Sequence, residues 1–498
     1  MKGCFILQRR FVYIGHEIAQ QLMAQGSMDA ACAYVQGRDG LTFLTEQNTI
    51  AYSELLLDED IHNGYRDEVL DLEYLRALEK RVGIPTLWQY INPDRIVRSN
   101  QLVREYPYDT PQYSHEDMLR MVQVHAKRIE AFLDAEKPDF LFTAQPGAIG
   151  TVLLYHLARE RGIKTLVVMF PGVEESTCLS ERYDRLTFVE ESVERHRTKS
   201  LEQVPCVKEA TTFIKSFRTK PRSYSQVYDA VPPPIRSAHF RFLLPQRLVQ
   251  SVKVLFDVYA TWKTQRRDYT AIHPVHHIID RVRRKVRVLV GSDDFYEPVP
   301  SDASFAFFPL HLEPEVALTL LSPFLSDQLV AVRLAAQSLP VGYKLVVKEH
   351  PQMAGFRPRS FFRELRKIPN VIVANPHVRA LDIIPRADLI ITIAGTAGFE
   401  STLLKKPVVT FGETFYEALS FVKRSDVPSE LPALIRSQLD DFRFDDEELT
   451  RFVAAILEES ARADVPYLWT LESDTDKKKQ GLAPFVQLVA HKIKSVDD

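Results

Sequence analysis

The sequence predicts an α/β protein in which two doubly wound domains are separated by a helical, basic connector. Three observations lead to this fold class. Segments of strand length alternate with helix-length segments in the first third of the chain and again after residue 305. The region 211–288 differs, because it contains 16 Lys and Arg but only 4 Asp and Glu. Finally, 498 residues exceed what one hydrophobic core usually organises.

The alternation sets the expected boundaries. We predict an N-terminal domain over 1–205, a connector over 206–300, a C-terminal domain over 301–435, and helices with a charged tail over 436–498. In the N-terminal domain, apolar runs predict strands at 4–7, 30–35, 140–143 and 164–169. A Ser-x-x-Asp cap at Ser114 predicts a helix that ends before Pro138.

The connector differs from both domains in its amino-acid pattern. Its segments are of helical type, and they are interrupted by three prolines at 232–234. In the C-terminal domain, strands are predicted at 305–310, 343–350, 370–375, 387–393 and 407–412, with one long helix over 314–339 between the first two. Five strands with helices between them indicate a doubly wound sheet.

Composition limits the classes of function. A formal net charge of −3 argues against a protein that binds nucleic acid over its whole surface. The four cysteines lack CxxC spacing, so neither a zinc site nor a disulfide framework is expected, and a reducing cytoplasm fits best. No run of about eighteen apolar residues predicts a membrane span. We expect a protein that is soluble or peripherally bound.

The stretch KEHPQMAG raises the question of a ligand site, because charged residues follow an apolar strand. In parallel sheets the strand ends open onto the ligand crevice. Lys348 and His350 are two residues apart and would point to the same side of a strand, while Pro351 fixes the direction of the backbone. These two side chains can hold a phosphate oxygen. The alternative is a histidine that bonds a carbonyl at the strand end.

A second segment, ADLIITIAGTAGFESTLL, places a glycine-containing turn between a strand and a helix. Glycine allows close backbone approach, and the N–H groups at a helix start favour an anion. We therefore predict a nucleotide site. The alternative is a tight connection without a ligand. With the strand end above, the predicted nucleotide-binding residues are Lys348, His350, Pro351, Thr392, Gly395, Thr396, Ala397, Gly398 and Glu400.

Three stretches then resemble a known family: FFPLHLEPE, LVVKEHPQMAGFRPRSFFRELRKIPNV and ADLIITIAGTAGFESTLLKKPVVTFGETFY. Over 305–435 they resemble the bacterial capsule and surface polysaccharide biosynthesis family, which includes Kdo transferases. The resemblance implies the arrangement called GT-B, with two Rossmann-like domains facing a cleft and the nucleotide sugar in the C-terminal domain. His350-Pro351 and Gly395-Thr396 match the nucleotide-binding motifs of that family.

The resemblance also suggests catalytic candidates. His311, Glu313 and Glu315 lie where the family carries a Gln-Pro-Glu step, although Glu313 stands where glutamine is usual. His311 or Glu315 can act as a general base or hold the sugar. The alternative for Glu315 is an acid favoured by a helix N-terminus. Glu174 and Glu175 lie where relatives carry an acid on the acceptor side; Arg182 and Asp184 are weaker candidates, and a solvated loop is the alternative.

We therefore predict a glycosyltransferase that uses a nucleotide sugar, with cytidine monophosphate linked to Kdo or a related acidic sugar as the first donor to test. The acceptor is a glycan or a lipid-linked glycan, and neither a metal ion nor a cofactor is required. Two alternatives stay open: a nucleotide-sugar 2-epimerase, and a non-catalytic partner that binds a nucleotide or glycan. A glycerol-phosphate polymerase type of transferase fits less well, because GTAGFES lacks its Ser-Ser-x-x-x-Asp arrangement.

The basic region 211–288 has two interpretations. Its Lys and Arg residues either lie on exposed helix faces or contact the anionic inner face of a membrane. The second interpretation places the protein in the cytoplasm, peripherally on the inner membrane. Nucleic acid is not expected as a partner, because no aromatic residues are interleaved at a recognisable spacing.

Overall fold

A computed structural model describes residues 1–100, 111–222, 245–313 and 315–494. The prolines at 232–234, Pro314 of the predicted Gln-Pro-Glu step and the last four residues of the predicted tail lie outside the described residues. In the described part, two sheets with helices on their faces form two Rossmann-like domains, so the predicted α/β class is confirmed.

The N-terminal domain is built on a sheet with the strand order β13-β6-β5-β4-β1-β2-β3 in the described part. Its strands are β1 (Lys2–Leu7), β2 (Ala30–Val35), β3 (Tyr52–Leu57), β4 (Phe140–Thr143), β5 (Lys164–Met169), β6 (Ser176–Ser180) and β13 (Ser460–Arg462). The first five strands are parallel, whereas β6 and β13 pair antiparallel at one edge. The apolar faces of this sheet are covered by helices on both sides.

Ten helices of the described N-terminal half pack around this sheet or continue from it. They are α1 (Phe11–Ala24), α2 (Arg38–Glu46), α3 (Asp58–Asn63), α4 (Leu72–Val82), α5 (Trp88–Ile91), α6 (Arg95–Ser99), α7 (His115–Glu136), α8 (Ile149–Glu160), α9 (Thr187–Arg195) and α10 (Val207–Thr219). The predicted start of α7 is confirmed, because Ser114 and Asp117 form a reciprocal capping box. Lys137 ends α7 with a left-handed backbone, directly before Pro138.

Four strands were missed by the sequence analysis, namely β3, β6, β13 and the later strand at Val422–Arg424, and for the first two the physical reason is local. β3 lies at the edge of the sheet, and its residues Ser53 and Glu54 are exposed, so the strand lacks a continuous apolar run. β6 is short and polar, and it returns antiparallel to β5. The loop that contains Glu174 and Glu175 therefore joins two antiparallel strands.

The C-terminal domain is built on a parallel sheet with the strand order β12-β11-β10-β7-β8-β9 among the described residues. Its strands are β7 (Phe305–Pro309), β8 (Lys344–Lys348), β9 (Val371–Ala374), β10 (Leu389–Thr392), β11 (Val408–Thr410) and β12 (Val422–Arg424). The five predicted strands of this domain are confirmed. The order reverses beside β7, which places the ends of β7, β8 and β10 at the point where such sheets bind ligands.

Helices cover both faces of this second sheet. They are α13 (Val316–Thr319), α14 (Gln328–Ser338), α15 (Arg359–Arg366), α16 (Ala380–Ile383), α17 (Thr396–Leu403) and α18 (Leu431–Asp440). The single helix predicted over 314–339 is wrong, because it is divided into α13 and α14. Pro323 lies between them, and Asp327 caps the start of α14 by accepting the N–H of Leu329.

The end of the chain returns to the N-terminal domain. Its elements are α19 (Asp446–Glu458), β13, α20 (Val465–Thr470) and α21 (Thr475–Lys494). β13 extends the N-terminal sheet, while α21 packs on α1 through a shared apolar core. The charged run predicted as a tail forms the first turns of α21.

The connector contains two long helices, α11 (Pro245–Gln265) and α12 (Pro274–Val290), joined by a short loop. None of the described helices is both long enough and apolar enough to cross a membrane.

Candidate functional site

Three predicted segments leave the C-terminal sheet at one edge, because β7 pairs in parallel with both β8 and β10. These segments are 310–315 after β7, 348–351 at the end of β8, and 392–400 around the start of α17. The N-terminal domain faces the same edge: Arg98 donates a hydrogen bond to Ser326 Oγ at 3.0 Å. Residues separated in sequence are thus brought together where the two domains meet.

His311 is a buried residue that contacts the turn after β10. Its Nε2 accepts a hydrogen bond from the Ala394 N–H at 3.4 Å and lies 3.4 Å from Thr392 Oγ1. Burial lowers the pKa of His311 to about 3, and the nearby His350 and Arg357 act in the same direction. The ring is therefore neutral near pH 7, and its accepting nitrogen is already bonded. A general base at His311 would first have to release Ala394.

Beneath His311 lies a buried ionic network that the sequence analysis did not identify. The Arg357 guanidinium lies 3.5 Å from Glu313 Oε1 and 3.4 Å from Glu349 Oε1, and it donates a hydrogen bond to the His311 carbonyl at 2.9 Å. Burial raises the pKa of both acids, that of Glu349 to about 7, and Arg357 opposes the shift in each case. One cation thus links the segments after β7 and β8.

Glu313 stands where the resembling family usually has glutamine, and its surroundings explain how an acid fits there. Gln328 donates a hydrogen bond to Glu313 Oε1, while Oε2 is buried without a hydrogen-bond partner in the described part of the chain. Burial raises the pKa of Glu313 and so shifts it toward the neutral carboxylic acid, while Arg357 opposes this shift. A neutral acid offers one donor and one acceptor, as the amide of glutamine also does. The neutral form of Glu313 can therefore make the same kinds of hydrogen bond as the glutamine that is usual at this position.

Lys348 and His350 are placed differently from the prediction that both point to one side of a strand. Lys348 ends β8 and is buried, its Nζ donates a hydrogen bond to the Glu349 carbonyl at 3.2 Å, and burial lowers its pKa to about 8. His350 lies beyond the strand and is half-buried, and its Nδ1 accepts the Gln352 N–H at 3.2 Å. Pro351 begins a short 3-10 turn at this point, which ends the strand geometry.

The glycine turn is packed between two aromatic rings. A Cβ on Gly395 would lie 2.8 Å from His311 Cε1, and a Cβ on Gly398 would lie 2.2 Å from Tyr416 Oη. Tyr416 Oη also donates a hydrogen bond to the Gly395 carbonyl at 2.7 Å. Both positions therefore require the small size of glycine, and Tyr416 is a supporting residue that sequence reasoning missed.

The helix start after this turn is available to an anion. α17 begins at the exposed Thr396 and continues through the half-buried Ala397, whose N–H groups have no carbonyl four residues earlier in the helix. Glu400 lies half-buried one turn later, and burial raises its pKa to about 7, although Arg379 opposes this. Glu400 can therefore exchange a proton near pH 7.

The remaining acidic candidates are Glu315, after β7, and Glu174 and Glu175, in the loop between β5 and β6. Glu315 is exposed and occupies the N-cap position of α13, which agrees with the alternative of an acid at a helix start. Glu174 is half-buried with a left-handed φ of 50°, and Glu175 is exposed. The catalytic role of Glu174 and Glu175 stays a prediction.

A different acidic pair connects the two domains. Asp184 follows β6 and shares a hydrogen bond with Glu413, which follows β11. Burial and this hydrogen bond raise the pKa of Glu413 to about 7. Burial opposes ionisation of Asp184, yet the ion pair with Arg182, at 2.8 Å between Nε and Oδ1, lowers its pKa. An acid that titrates near pH 7 and a carboxyl group with a lowered pKa thus meet between the domains.

The buried acids predict how stability depends on pH. Because the folded state holds the Glu349 proton more tightly than the unfolded chain does, its contribution to stability falls as pH rises from the ordinary value of 4.5 to about 7. We expect the urea midpoint of the C-terminal domain to decrease over this range, and to decrease less in Glu349→Gln. The exposed Glu430→Gln is the matched control and should retain the full decrease. Equal slopes in all three proteins would contradict the assignment.

Comparisons with known proteins extend this description. Residues 244–422 match a family model described as capsule polysaccharide biosynthesis protein. Protein FixF of Sinorhizobium fredii (strain NBRC 101917 / NGR234) is 29% identical over 144 residues, which make up 28% of this chain and 34% of FixF. The aligned part therefore spans about a third of that relative.

Solved structures are also similar at low identity. The β-Kdo 2,7 transferase of Thermosulfurimonas dismutans KpsC is 14% identical with a TM-score of 0.38, covering 79% of this chain and 95% of that chain. The UDP-GlcNAc 2-epimerase of Neisseria meningitidis is 10% identical with a TM-score of 0.28, covering 92% of this chain and 99% of that chain.

Proposed function

We propose that this chain is a glycosyltransferase of surface or capsular polysaccharide biosynthesis, because residues 244–422 match the family model described as capsule polysaccharide biosynthesis protein. It transfers a sugar from a nucleotide donor to a glycan or lipid-linked acceptor. The observation that carries the proposal is the contact of His311 with the glycine turn at the shared edge of β7, β8 and β10. Open α/β sheets bind ligands at such an edge.

The donor phosphate lies at the start of α17 in this proposal. The N–H groups of Thr396 and Ala397 and the Thr396 hydroxyl bind its oxygens, and the helix dipole favours the anion. Lys348 and His350 supply positive charge or hydrogen-bond donors from the neighbouring strand end. Charge that develops on the departing nucleotide is stabilised by these groups, which replaces the need for a metal ion. Glu400 accepts hydrogen bonds from ribose hydroxyls.

Cytidine monophosphate linked to Kdo, or to a related acidic sugar, is the proposed donor. We expect cytidine monophosphate to raise the melting temperature more than uridine diphosphate does at the same concentration, because the nucleotide that binds more tightly stabilises the folded state more. A ligand at 100 times its Kd stabilises the folded state by about 2.7 kcal/mol. His350→Ala should remove the shift and leave the melting temperature without ligand nearly unchanged. His377→Ala changes an exposed histidine of the same domain and serves as the matched control.

Two results would contradict this donor. A larger increase in melting temperature with uridine diphosphate would mean that the donor carries uridine and not cytidine. An unchanged increase in His350→Ala would mean that His350 does not bind the nucleotide. Turnover then separates the classes of function. A glycosyltransferase releases nucleotide only when an acceptor is present, a 2-epimerase interconverts its nucleotide sugar without one, and a non-catalytic partner does neither.

The acceptor side belongs to the N-terminal domain in this proposal. Glu174 or Glu175 approaches the anomeric carbon from that side, and the protein lies peripherally on the inner face of the membrane, where lipid-linked glycans are found. The basic residues of the connector support this location, since cations near an anionic surface contribute about 1 kcal/mol each. Replacing each glutamate by glutamine, with nucleotide binding as the control, tests which of them is needed for transfer.

A further inference from the structure

The connector residues 211–288 do not form one uniform basic surface. Helix α10 buries Phe213, Ile214 and Phe217 against α19, so this part belongs to the core. Helices α11 and α12 instead leave large apolar side chains exposed to solvent. The question of a membrane contact therefore concerns α11 and α12.

The exposed apolar residues of α12 form a continuous stripe. At 100° per residue, the six side chains fall within an arc of about 120°. Each is between 39% and 55% exposed: Val275, Ile278, Ile279, Val282, Val286 and Val290. A second group of exposed apolar residues lies on one side of α11, namely Val249, Val252, Phe256 and Tyr259. Apolar stripes of this kind on a helix normally pack against another surface.

The charges beside these stripes indicate what covers them. Residues 245–290 contain ten Lys and Arg against three Asp and Glu. Arg283 and Lys285 flank the α12 stripe on its two sides, and Lys253 and Lys263 lie beside the α11 residues. An apolar face bordered by cations is complementary to an anionic lipid surface, in which apolar side chains enter the acyl boundary and cations meet the headgroups.

The opposite face of α12 contacts the predicted donor site. Arg284 lies over the Phe356 ring at 4.1 Å, and Arg287 Nη1 donates a hydrogen bond to the Phe356 carbonyl at 2.5 Å. Gly355 has a left-handed φ of 82°, and a Cβ on it would lie 2.3 Å from Val288. This loop follows His350 and leads directly into Arg357 of the buried network. The helix thus has an outward apolar face and an inward face that supports residues 351–357.

The loop between α11 and α12 is held by the N-terminal domain. Arg38 donates two hydrogen bonds to Asp268, each at 2.8 Å, and Tyr269 Oη donates to the buried Asp58 carboxylate at 2.7 Å. The Tyr269 ring also stacks on His62 at 3.9 Å between centroids. One end of α12 is therefore fixed to the N-terminal domain, and the other end lies against the loop of the C-terminal domain.

We propose that the outward faces of α11 and α12 dock on an anionic lipid surface, and that docking fixes the 351–357 loop through the inward face of α12. This inference rests on the proposed function for the meaning of the loop, which then holds the nucleotide donor more tightly when the enzyme is at the membrane than when it is free. Docking restricts the motion of α12, and Arg284, Arg287 and Val288 pass this restriction to Phe356 and Gly355. Donor binding is thereby coupled to the location of a lipid-linked acceptor.

The docking part is tested by flotation of the full chain with vesicles. Binding to equimolar phosphatidylcholine and phosphatidylglycerol is expected at low salt, with weaker binding at high salt and none to phosphatidylcholine alone. Val282→Glu with Val286→Glu should lower the bound fraction about tenfold or more, since two exposed apolar side chains become acids. Val341→Glu, at a valine that is 98% exposed in the C-terminal domain, is the matched control and should bind as the unchanged protein.

Two results would overturn the docking. If the double variant binds the vesicles as well as the unchanged protein does, the apolar stripe of α12 is not the docking surface. If the unchanged protein does not bind the vesicles and is a dimer, and the double variant is a monomer, then the stripe contacts a second copy of the protein. Light scattering after size-exclusion chromatography measures the mass in both proteins, and circular dichroism confirms that both are folded.

The coupling is measured by hydrogen–deuterium exchange of residues 352–357 with and without the same vesicles. Slower exchange with vesicles is expected in the unchanged protein, and Arg287→Ala should still float while losing this protection. Equal exchange with and without vesicles would overturn the coupling. Cytidine monophosphate binding without vesicles tests the donor site separately, so a failure of the proposed function and a failure of the coupling give different results.

Discussion

Replacement of Arg357 by leucine is expected to destabilise the C-terminal domain by about 3–5 kcal/mol, because removal of one member of a buried ionic network leaves the others unpaired. Arg357 has no exposed side-chain area, and it lies within 3.5 Å of both Glu313 and Glu349. Without the guanidinium, any negative charge on Glu313 or Glu349 is buried without its counter-ion, so the neutral form of both acids is favoured further. The measurement is the urea midpoint of the C-terminal domain.

The same variant has an expected pH dependence. Protonation relieves the unpaired acids, so the loss of stability should be smaller at pH values below the ordinary glutamate range and larger above neutrality. Adding Glu349→Gln to Arg357→Leu should recover part of the loss, since only one buried acid then remains. Leucine at the exposed Arg363 is the matched control, and a change within about 0.5 kcal/mol is expected there.

A loss at Arg357 no larger than at Arg363 would contradict the structural role of the network. It would mean that water or a rearrangement of Glu313 and Glu349 replaces the guanidinium without cost. A large loss that is independent of pH would instead assign the effect to packing, for example to the contact of Arg357 with the Phe361 ring at 4.9 Å.

The sequence predicted the C-terminal sheet well because its central strands contain continuous apolar runs, such as LVV in β8 and LII in β10. The middle residues of β7, β8 and β10 are buried on both faces of the sheet, and such strands give continuous apolar runs. β3 and β6 gave no such signal. Edge position leaves one side of β3 in solvent, and β6 pairs antiparallel in a short polar segment. The return of β13 to the N-terminal sheet depends on pairs such as Ser460 with Cys178, which are 282 residues apart, and the local periodicity of the sequence does not report such pairs.

For the candidate site, the sequence located the segments but not their support. Strand ends and a glycine turn are local patterns, whereas the positions of Arg357, Gln328 and Tyr416 depend on tertiary packing. One weak signal was present, because Arg357 is a charged residue between the aromatic residues Phe356 and Phe361 in a segment that returns to the core. The meeting of Asp184 and Glu413 depends on how two distant strand ends face each other, which no local pattern reports.

Replacement of Gly398 by alanine is expected to abolish nucleotide binding while most of the fold remains. The new Cβ would lie 2.2 Å from Tyr416 Oη, so the ring must move and its hydrogen bond to the Gly395 carbonyl is lost. Movement of the turn displaces the first N–H groups of α17, and a displacement of about 1 Å is enough to cost 100-fold in a site that depends on orientation. We therefore expect the affinity for cytidine monophosphate to fall by about 100-fold or more.

Gly37→Ala is the matched control, since its backbone is extended and a Cβ there would meet nothing within 4 Å. Isothermal titration with cytidine monophosphate should give equal affinities for this variant and the unchanged protein. Combining Gly398→Ala with Tyr416→Ala removes the hydroxyl and the ring carbons that would lie 2.2 to 2.8 Å from the new Cβ, so part of the affinity should return if the steric contact is the cause. Unchanged binding in Gly398→Ala would mean that the nucleotide does not use the turn at the start of α17, and the donor site would have to lie elsewhere on the molecule.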